Sequence, residues 1–326
     1  MAASAEAAAI LDFFSRWKPR NAMFGHWPRY TRASLQAVAN SLVGETLLQR
    51  SGRKNPPEDG RHKSLLAWSA WNPSASFFHF TTKDVYSPKI TVEEVRYLKG
   101  LARKGPAPLP LKSYSGARTI PLERAKDSSE FSRVLRERRT WRQFARQPVD
   151  ELSFATLMDL SFRVQSWLPV RNIGRLALKT SPSGGALHPC EAYVLARRVA
   201  GVAPGIYHYD AGSHRLQRVR TGASAREVEM LLAGQWWFRG AAFVVFLTAV
   251  FARTQWKYDY PRAYRAVLAE AGHLCQTFCL TATWLGLAPF CTMALADSKI
   301  EKALKIDGVS ESVLYAMGAG RRPGGQ

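Results

Sequence analysis

The sequence predicts an α+β protein in which helices cover a β-sheet. Apolar residues make up 46% of the 326 positions and charged residues 22%, which is typical of a globular chain. The run 242–251 is almost wholly apolar and rich in β-branched and aromatic residues, as in a central strand buried on both faces. The stretch 264–285 has the length of a long helix and is apolar nearly all round, which predicts a buried helix.

Residues 1–125 are predicted to form a mainly helical N-terminal region that ends in a linker. Apolar residues at helical spacing predict a helix over 34–49. A second helix is predicted over 91–102, where Thr91 and Glu94 have the spacing of a capping box. Residues 103–122 contain four prolines and are interpreted as the linker. The main domain is therefore expected to span residues 126–326.

Within the main domain, the pattern alternates between helices and strands. Helices are predicted over 128–139, 151–162 and 225–233. Strands are predicted over 192–199, 206–209, 215–219 and 312–317, with a hairpin turn at Asp210. His273 falls on the long apolar helix, and we expect it to be a hydrogen-bonded core histidine.

The chain is strongly basic, with a formal net charge of +21. Charge alone leaves open a nucleic acid, a phosphorylated cofactor, an acidic peptide or simply a solvated basic face. The four cysteines form no CxxC pair and no zinc-ligand spacing, so no metal site is expected. The longest apolar run is shorter than the roughly 20 residues that a membrane-spanning helix needs. With no signal peptide visible, a cytoplasmic protein is expected.

Three arginines and a hydroxyl lie within five residues, at Arg138, Arg139, Thr140 and Arg142. Guanidinium groups bind phosphate through paired hydrogen bonds, and a hydroxyl adds another, so the cluster suits a phosphate monoester. A solvated basic helix end would explain the same residues.

The segment from Ser181 to Pro189 reads SPSGGALHP and lies ahead of a predicted strand. Its proline fixes one φ angle, and its two glycines permit a backbone that a ligand can approach closely. It is neither a Walker loop nor a dinucleotide-binding fingerprint. A purely structural turn is the alternative.

Lys257 and Tyr258 follow the central strand and form a plausible pair for proton transfer. We expect Lys257 to be buried beside Trp256, Tyr258 and Tyr260. The alternative is an exposed aromatic and basic loop. His79 could bind substrate or cap a turn, and the sequence does not decide between these roles.

Taken together and in this order, the segments from Arg138 to Gly320 resemble the flavin-dependent nitroreductase fold. More narrowly, they resemble the SagB-type or ThcOx-type dehydrogenases, which oxidise azoline rings in ribosomal peptides. The resemblance depends on RRTWR at 138–142, SPSGGALHP at 181–189, PGIYHY at 204–209, KY at 257–258, EAGHLCQ at 270–276, WLGL at 284–287 and GAGR at 318–321. The FH and TK pairs at 78–79 and 82–83 also resemble a short motif of that family's N-terminal region. Thr140 stands where the family usually has serine.

The resemblance implies a mixed β-sheet flanked by helices, in a homodimer with FMN at its interface. By position, Arg138, Arg139, Thr140 and Arg142 would bind the phosphate and ribityl chain, and Arg321 would also reach the phosphate. Leu287 would approach the reactive edge of the flavin. The residues along the isoalloxazine would be Pro182, Ser183, Gly184 and Gly185.

By the same resemblance, the enzyme would oxidise a thiazoline or oxazoline in a peptide to the aromatic azole. Lys257 and Tyr258 match the lysine and tyrosine implicated in that reaction. Residues 1–125 would form the peptide-binding region, a cyclodehydratase is a possible partner, and nucleic acid is not expected to bind. Two alternatives remain: an NAD(P)H-dependent nitro- or quinone reductase on the same fold, and a non-catalytic subunit that binds a biosynthetic partner.

Overall fold

The computed structural model describes residues 5–16, 18–44, 47–48, 64, 66–85, 100, 103, 105–106, 109–112, 114–172 and 174–324. Three helices come first: α1 (Ala5–Phe13), α2 (Ala22–His26) and α3 (Arg32–Gly44). They share a small apolar core of their own, which confirms a helical N-terminal region. Each helix within these ranges is too short or too polar to cross a bilayer. Apart from residue 100, the predicted helix over 91–102 lies outside the described residues.

Residues 66–85 pack directly against the main domain. They contain a 3-10 turn at Ser69–Trp71 and helix α4 (Ser74–Thr82). The indole nitrogen of Trp68 donates to the carbonyl oxygen of Val309 at 2.9 Å, and that of Trp71 donates to Tyr258 at 2.9 Å. Both indoles are fully buried, so this segment forms a wall beside Tyr258.

The main domain contains a six-stranded sheet and six helices among the described residues. The helices are α5 (Glu130–Glu137), α6 (Glu151–Phe162), α7 (Ala225–Leu231), α8 (Phe251–Gln255), α9 (Tyr264–Trp284) and α10 (Asp297–Leu304). A separate hairpin pairs β1 (Ser166–Val170) with β2 (Gly174–Leu178). The strands of the main sheet are β3 (Cys190–Ala196), β4 (Gly205–Asp210), β5 (Arg215–Thr221), β6 (Phe243–Val250), β7 (Leu287–Thr292) and β8 (Glu311–Arg321).

The strand order is β5-β4-β3-β6-β8-β7, and every neighbouring pair is antiparallel. The α+β class is therefore confirmed, while the strand pairing is antiparallel and not mixed. Strand β6 lies at the centre because it is apolar along its whole length and can be covered on both sides. Side chains of successive residues on β6 enter two different cores. One core includes α6 and α9, and the other includes α7 and α10, so these helix pairs cover opposite faces of the sheet.

The long helix α9 is apolar, but it is not buried all round. Its sheet-facing side contributes Leu274, Phe278 and Ala282 to the core. On another side, Ala269, Gly272 and Gln276 are exposed at spacings of three and four residues, which places them on one face. His273 is also exposed, so the expectation of a core histidine was wrong. Hydrophobicity along the helix indicates what could be buried, but a single chain packs only one side of this helix.

Candidate functional site

The segment 181–189, called here the SPSGG loop, is attached to helix α9 by three side chains. The Ser181 and Thr277 hydroxyl oxygens are 2.7 Å apart. The Nδ1 of His273 is 3.2 Å from the carbonyl oxygen of Pro182. Within the loop, the Ser183 hydroxyl accepts a hydrogen bond from the backbone amide of His188 at 2.9 Å. The loop therefore has a defined shape and lies beside the exposed face of α9.

Gly185 brings the SPSGG loop against Lys257 and Tyr258. Its φ of +68° lies in the left-handed region, which glycine adopts without a steric penalty. A β-carbon at this position would come within 2.8 Å of the Tyr258 hydroxyl oxygen and 3.0 Å of the Lys257 Nζ. The SPSGG loop and the Lys257–Tyr258 pair, which are about 70 positions apart in the sequence, therefore meet at the α-carbon of Gly185. The space beside Gly185 is filled by the two groups predicted to handle a proton.

Lys257 itself is exposed in the chain. Its Nζ lies 5.3 Å from the centre of the Tyr258 ring, and the backbone of Tyr258 is held by the Trp71 indole. Trp256 is 67% exposed and Tyr260 is 49% exposed. The expectation that Lys257 is buried among aromatic side chains was therefore wrong for the single chain. Lys257 is exposed because residues 256–260 follow the C-terminal end of the short helix α8 and lie at the surface of the chain.

A network of charged side chains holds the C-terminal end of the SPSGG loop, at His188, and the residues that follow it. Arg253 donates to the His188 carbonyl oxygen at 3.0 Å and pairs with Glu191 at 2.5 Å. The buried carboxyl group of Glu270 accepts a hydrogen bond from the backbone amide of Cys190 at 3.4 Å. Burial raises the pKa of Glu270, although hydrogen bonds from Ser183 and Cys190 oppose the rise.

The same network controls the charge of its basic members. Burial and the nearby positive charge of Lys179 lower the pKa of His188 to about 4, so this imidazole is neutral near pH 7. Burial also lowers the pKa of Lys179, partly offset by Glu191 and Glu270. Burial alone would raise the pKa of Glu191, but hydrogen bonds from His208 and Arg253 leave it lowered. These groups position the loop and do not reach the exposed surface of α9.

The arginine-rich segment lies on the opposite end of helix α9, along the edge formed by β7 and β8. The backbone amide of Trp141 donates to the Pro289 carbonyl oxygen at 2.9 Å, and that of Ala145 donates to Arg321 at 3.0 Å. Arg322 stacks over the Trp141 ring at 5.6 Å and donates to the Leu287 carbonyl oxygen at 3.1 Å. Leu287 is buried at the start of β7 and pairs with Arg321. Two arginine segments far apart in sequence are therefore joined.

The guanidinium groups of four arginines in these segments have no carboxylate partner in the described part of the chain. Arg139, Arg142 and Arg321 are exposed and Arg138 is half-buried. Among the described residues, none of them forms an ion pair with a carboxylate within 4 Å. Arg139 is held in place by the carbonyl oxygens of Arg136 and Arg138, at 2.6 and 2.9 Å. Guanidinium groups without carboxylate partners, and an exposed hydroxyl such as that of Thr140, are donors that can bind a phosphate monoester.

The SPSGG loop and the arginine-rich segment both lie along α9. The loop contacts His273 and Thr277, whereas Arg322 donates to the Thr283 carbonyl oxygen at 3.1 Å. Thr277 and Thr283 are about 9 Å apart along the helix, at a rise of 1.5 Å per residue.

His79 has no role at the exposed surface. It is buried, stacks on Trp68, and its Nδ1 lies 2.9 Å from the Tyr264 hydroxyl oxygen. Burial, with a smaller contribution from Lys83, lowers the His79 pKa to about 3. Lys83 in turn forms a 2.7 Å ion pair with Glu301. The FH and TK pairs of the sequence therefore attach residues 66–85 to the main domain.

Two sets of residues escaped the sequence analysis. Lys179 was not singled out because it lies in a short polar segment with no motif. Cys275, Cys279 and Cys291 were dismissed because their spacing fits no CxxC pattern, yet the structure brings their three thiols together. A signal was present: Cys275 and Cys279 are four residues apart, which puts both on one face of a helix.

Comparison with known proteins agrees with this architecture. The sequence profile of the nitroreductase family matches residues 135–321. The protein provisionally named nitroreductase MJ1384, from Methanocaldococcus jannaschii, is 33% identical over 189 residues, covering 58% of this chain and 89% of that protein.

One further relative and one solved structure are similar to this chain. The trifolitoxin-processing protein TfxB of Rhizobium leguminosarum bv. trifolii is 32% identical over 142 residues, which cover 42% of this chain and only 38% of TfxB. A chain of the E. coli microcin synthetase McbBCD complex, solved with truncated pro-MccB17 bound, superposes with a TM-score of 0.57 at 21% identity. That superposition covers 79% of this chain and 97% of the other, and at this identity it is a likeness of fold.

Proposed function

The chain belongs to the nitroreductase family, and we propose that it is an FMN-dependent dehydrogenase that oxidises thiazoline or oxazoline rings in a peptide precursor to thiazole or oxazole. One observation carries the proposal: Lys257 and Tyr258 lie directly against Gly185 of the SPSGG loop. A proton acceptor is thereby placed beside the backbone that is proposed to line the isoalloxazine. A generic nitroreductase, which needs no base for a substrate ring proton, gives no reason for this pair.

The residues of the chain divide the proposed work between them. Arg138, Arg139, Thr140, Arg142 and Arg321 would bind the phosphate and ribityl chain. Pro182, Ser183, Gly184 and Gly185 would line the ring system, with Leu287 at its edge. When bound, FMN supplies the two-electron acceptor.

The side chains of the protein are proposed to remove the hydrogen that leaves the substrate ring as a proton. Converting an azoline to an azole removes two hydrogens, one as a hydride and the other as a proton. A positioned side chain must accept that proton, and we assign this role to the Lys257 amine in its neutral form. Tyr258, whose hydroxyl oxygen is adjacent to the same glycine, would orient the ring or relay the proton.

The exposed face of α9 supports a homodimer. Ala269, Gly272 and Gln276 on this face are exposed although the helix is apolar, and a second copy packed against the face would cover them. Ala269 and Gly272 on that face have small side chains, which permits close approach of two helices.

The substrate is proposed to be a peptide because of the relatives. TfxB processes trifolitoxin, and the microcin synthetase structure contains a precursor peptide. We propose that residues 1–125 help bind the peptide and that 126–326 form the FMN domain. Residues 66–85 already lie against Tyr258, which supports this division of roles. The reaction would take place in the cytoplasm, after a cyclodehydratase partner has formed the azoline.

The function is tested by offering both kinds of substrate to the same flavin-loaded protein. An azoline-containing peptide is expected to lose two hydrogens per ring, measured by mass spectrometry, with oxygen as final acceptor. Steady NAD(P)H oxidation with a nitroaromatic and no change in the peptide would instead identify a nitro- or quinone reductase. A colourless protein that binds only a cyclodehydratase would identify a non-catalytic subunit.

We expect the protein to remain a dimer when dilute, since obligate interfaces of this kind bury roughly 2,000 Å² or more. Gly272→Arg should produce a monomer that no longer retains FMN, because among the described residues nothing outside the helix's own nearby backbone lies within 4 Å of a β-carbon there, so the arginine would displace a partner. Sedimentation velocity and flavin absorbance measure the two effects.

The matched control for this change is Met230→Arg, which adds the same charge to α7, the helix on the opposite face of the sheet. Met230 is 45% exposed, so the substitution is tolerated by the fold. The control should stay dimeric and yellow. A flavin-loaded monomer of the unaltered protein would contradict the shared site.

A further inference from the structure

Three cysteine thiols meet where helix α9 packs against strand β7. Cys275 and Cys279 point from one face of the helix, and Cys291 faces them from the strand. Their Sγ atoms all lie within 4.8 Å of one another. Cys275 and Cys279 are buried, Cys291 is partly buried, and all three are free thiols. The fourth cysteine, Cys190, lies outside this group.

The spacing of the thiols suits one bound ion better than a disulfide. With metal–sulfur bonds of about 2.3 Å, sulfur atoms around one ion are roughly 3.8–4.0 Å apart. The observed upper limit of 4.8 Å on the Sγ–Sγ distances is compatible with this arrangement. A disulfide would require two sulfur atoms to come to about 2.05 Å and would leave the third thiol without a partner.

The burial of the cluster favours a bound cation. Cys275 and Cys279 are buried and Cys291 is partly buried. A thiolate without a counter-charge is costly to bury, and a bound cation would offset that cost.

We propose that Cys275, Cys279 and Cys291 bind a thiophilic d10 metal ion, Cu(I) or Zn(II), that fixes helix α9 to strand β7. An all-sulfur set selects these ions over hard cations such as Mg²⁺ and Ca²⁺. Structural zinc almost always has four ligands, and the described residues supply no fourth cysteine, histidine or carboxylate to this cluster. Zinc would need water or the Tyr315 hydroxyl as a fourth ligand, whereas three thiolates suffice for Cu(I).

The test uses the full-length, flavin-loaded protein, reduced and kept anaerobic. It is titrated with Zn²⁺ and, separately, with Cu⁺, each buffered by a competing chelator. Wild type and Cys190→Ser should both bind one ion per chain. Cys291→Ser, which removes the least buried ligand, should weaken binding by about a hundredfold or more, because even outer-shell changes cost 10–100-fold in metal affinity. The ion bound more tightly, relative to the competitor, identifies the metal.

A second measurement, cysteine alkylation, uses wild type alone and so does not depend on how well a variant folds. Cysteine alkylation in wild type, located by peptide mass, should show that the metal protects all three thiols of the cluster. Saturating metal should also raise the melting temperature of wild type and Cys190→Ser but not of Cys291→Ser. The proposal is overturned if alkylation is unchanged by metal, if Cys291→Ser binds as tightly as wild type, or if two of the three cysteines are found in a disulfide. None of these results depends on the proposed oxidation activity.

Discussion

Replacing Arg138 and Arg142 together by alanine is expected to lower the affinity for FMN by about a hundredfold or more. Hydrogen bonds to charged groups contribute roughly 1.5–3 kcal/mol each, and about 1.4 kcal/mol corresponds to a tenfold change in affinity. Neither arginine has a carboxylate partner among the described residues, so the folded chain should lose little stability. Titration of the apoprotein with FMN, followed by flavin fluorescence at fixed ionic strength, measures the change.

A matched double variant separates phosphate binding from the loss of net charge. Arg215 and Arg218 are exposed on β5, at the edge of the sheet opposite to β7. Changing both to alanine also removes two positive charges but should leave FMN affinity nearly unchanged. If the Arg138→Ala/Arg142→Ala protein retained its full flavin content, the assignment of the arginine cluster to the phosphate would be wrong.

Strong local patterns allowed much of the sheet and its helices to be predicted from sequence. Helix 151–162 was predicted with its observed bounds, because Asp150 caps its first turn and its apolar residues keep helical spacing. The central strand was recognised from its continuous apolar run. Strand β7 was missed because Pro289 interrupts its pattern. The structure explains how proline is accommodated: β7 is an edge strand, where a missing amide leaves no neighbouring strand unpaired.

The candidate site was predictable only as separate pieces. Contiguous motifs such as Arg138–Arg142 and Lys257–Tyr258 are visible in the sequence, since their chemistry lies in neighbouring residues. The contact between Gly185 and Lys257 is not visible, because the antiparallel sheet and the end of β6 bring them together. His273 was misplaced for a related reason. Helix periodicity does not reveal which face of an apolar helix is covered by the same chain.

Changing Lys257 to alanine is expected to slow azoline oxidation by roughly 10²–10⁴-fold, the contribution typical of a side-chain base. FMN should stay bound, because Lys257 is not one of the residues proposed to bind its phosphate. Tyr258→Phe should cost less if the hydroxyl group only orients or relays.

The measurement that checks the role of Lys257 is the single-turnover rate of flavin bleaching by an azoline peptide under anaerobic conditions. This rate reports ring oxidation without the later reaction with oxygen. Lys302→Ala, an exposed lysine on α10, provides the control for loss of one positive charge and should bleach like wild type. The Lys257 amine lies within reach of any ring stacked beside Gly185, since a β-carbon on that glycine would be only 3.0 Å from Nζ. If Lys257→Ala bleached as fast as wild type with full FMN occupancy, Lys257 would not be the base, and the azoline proposal would lose its main structural support.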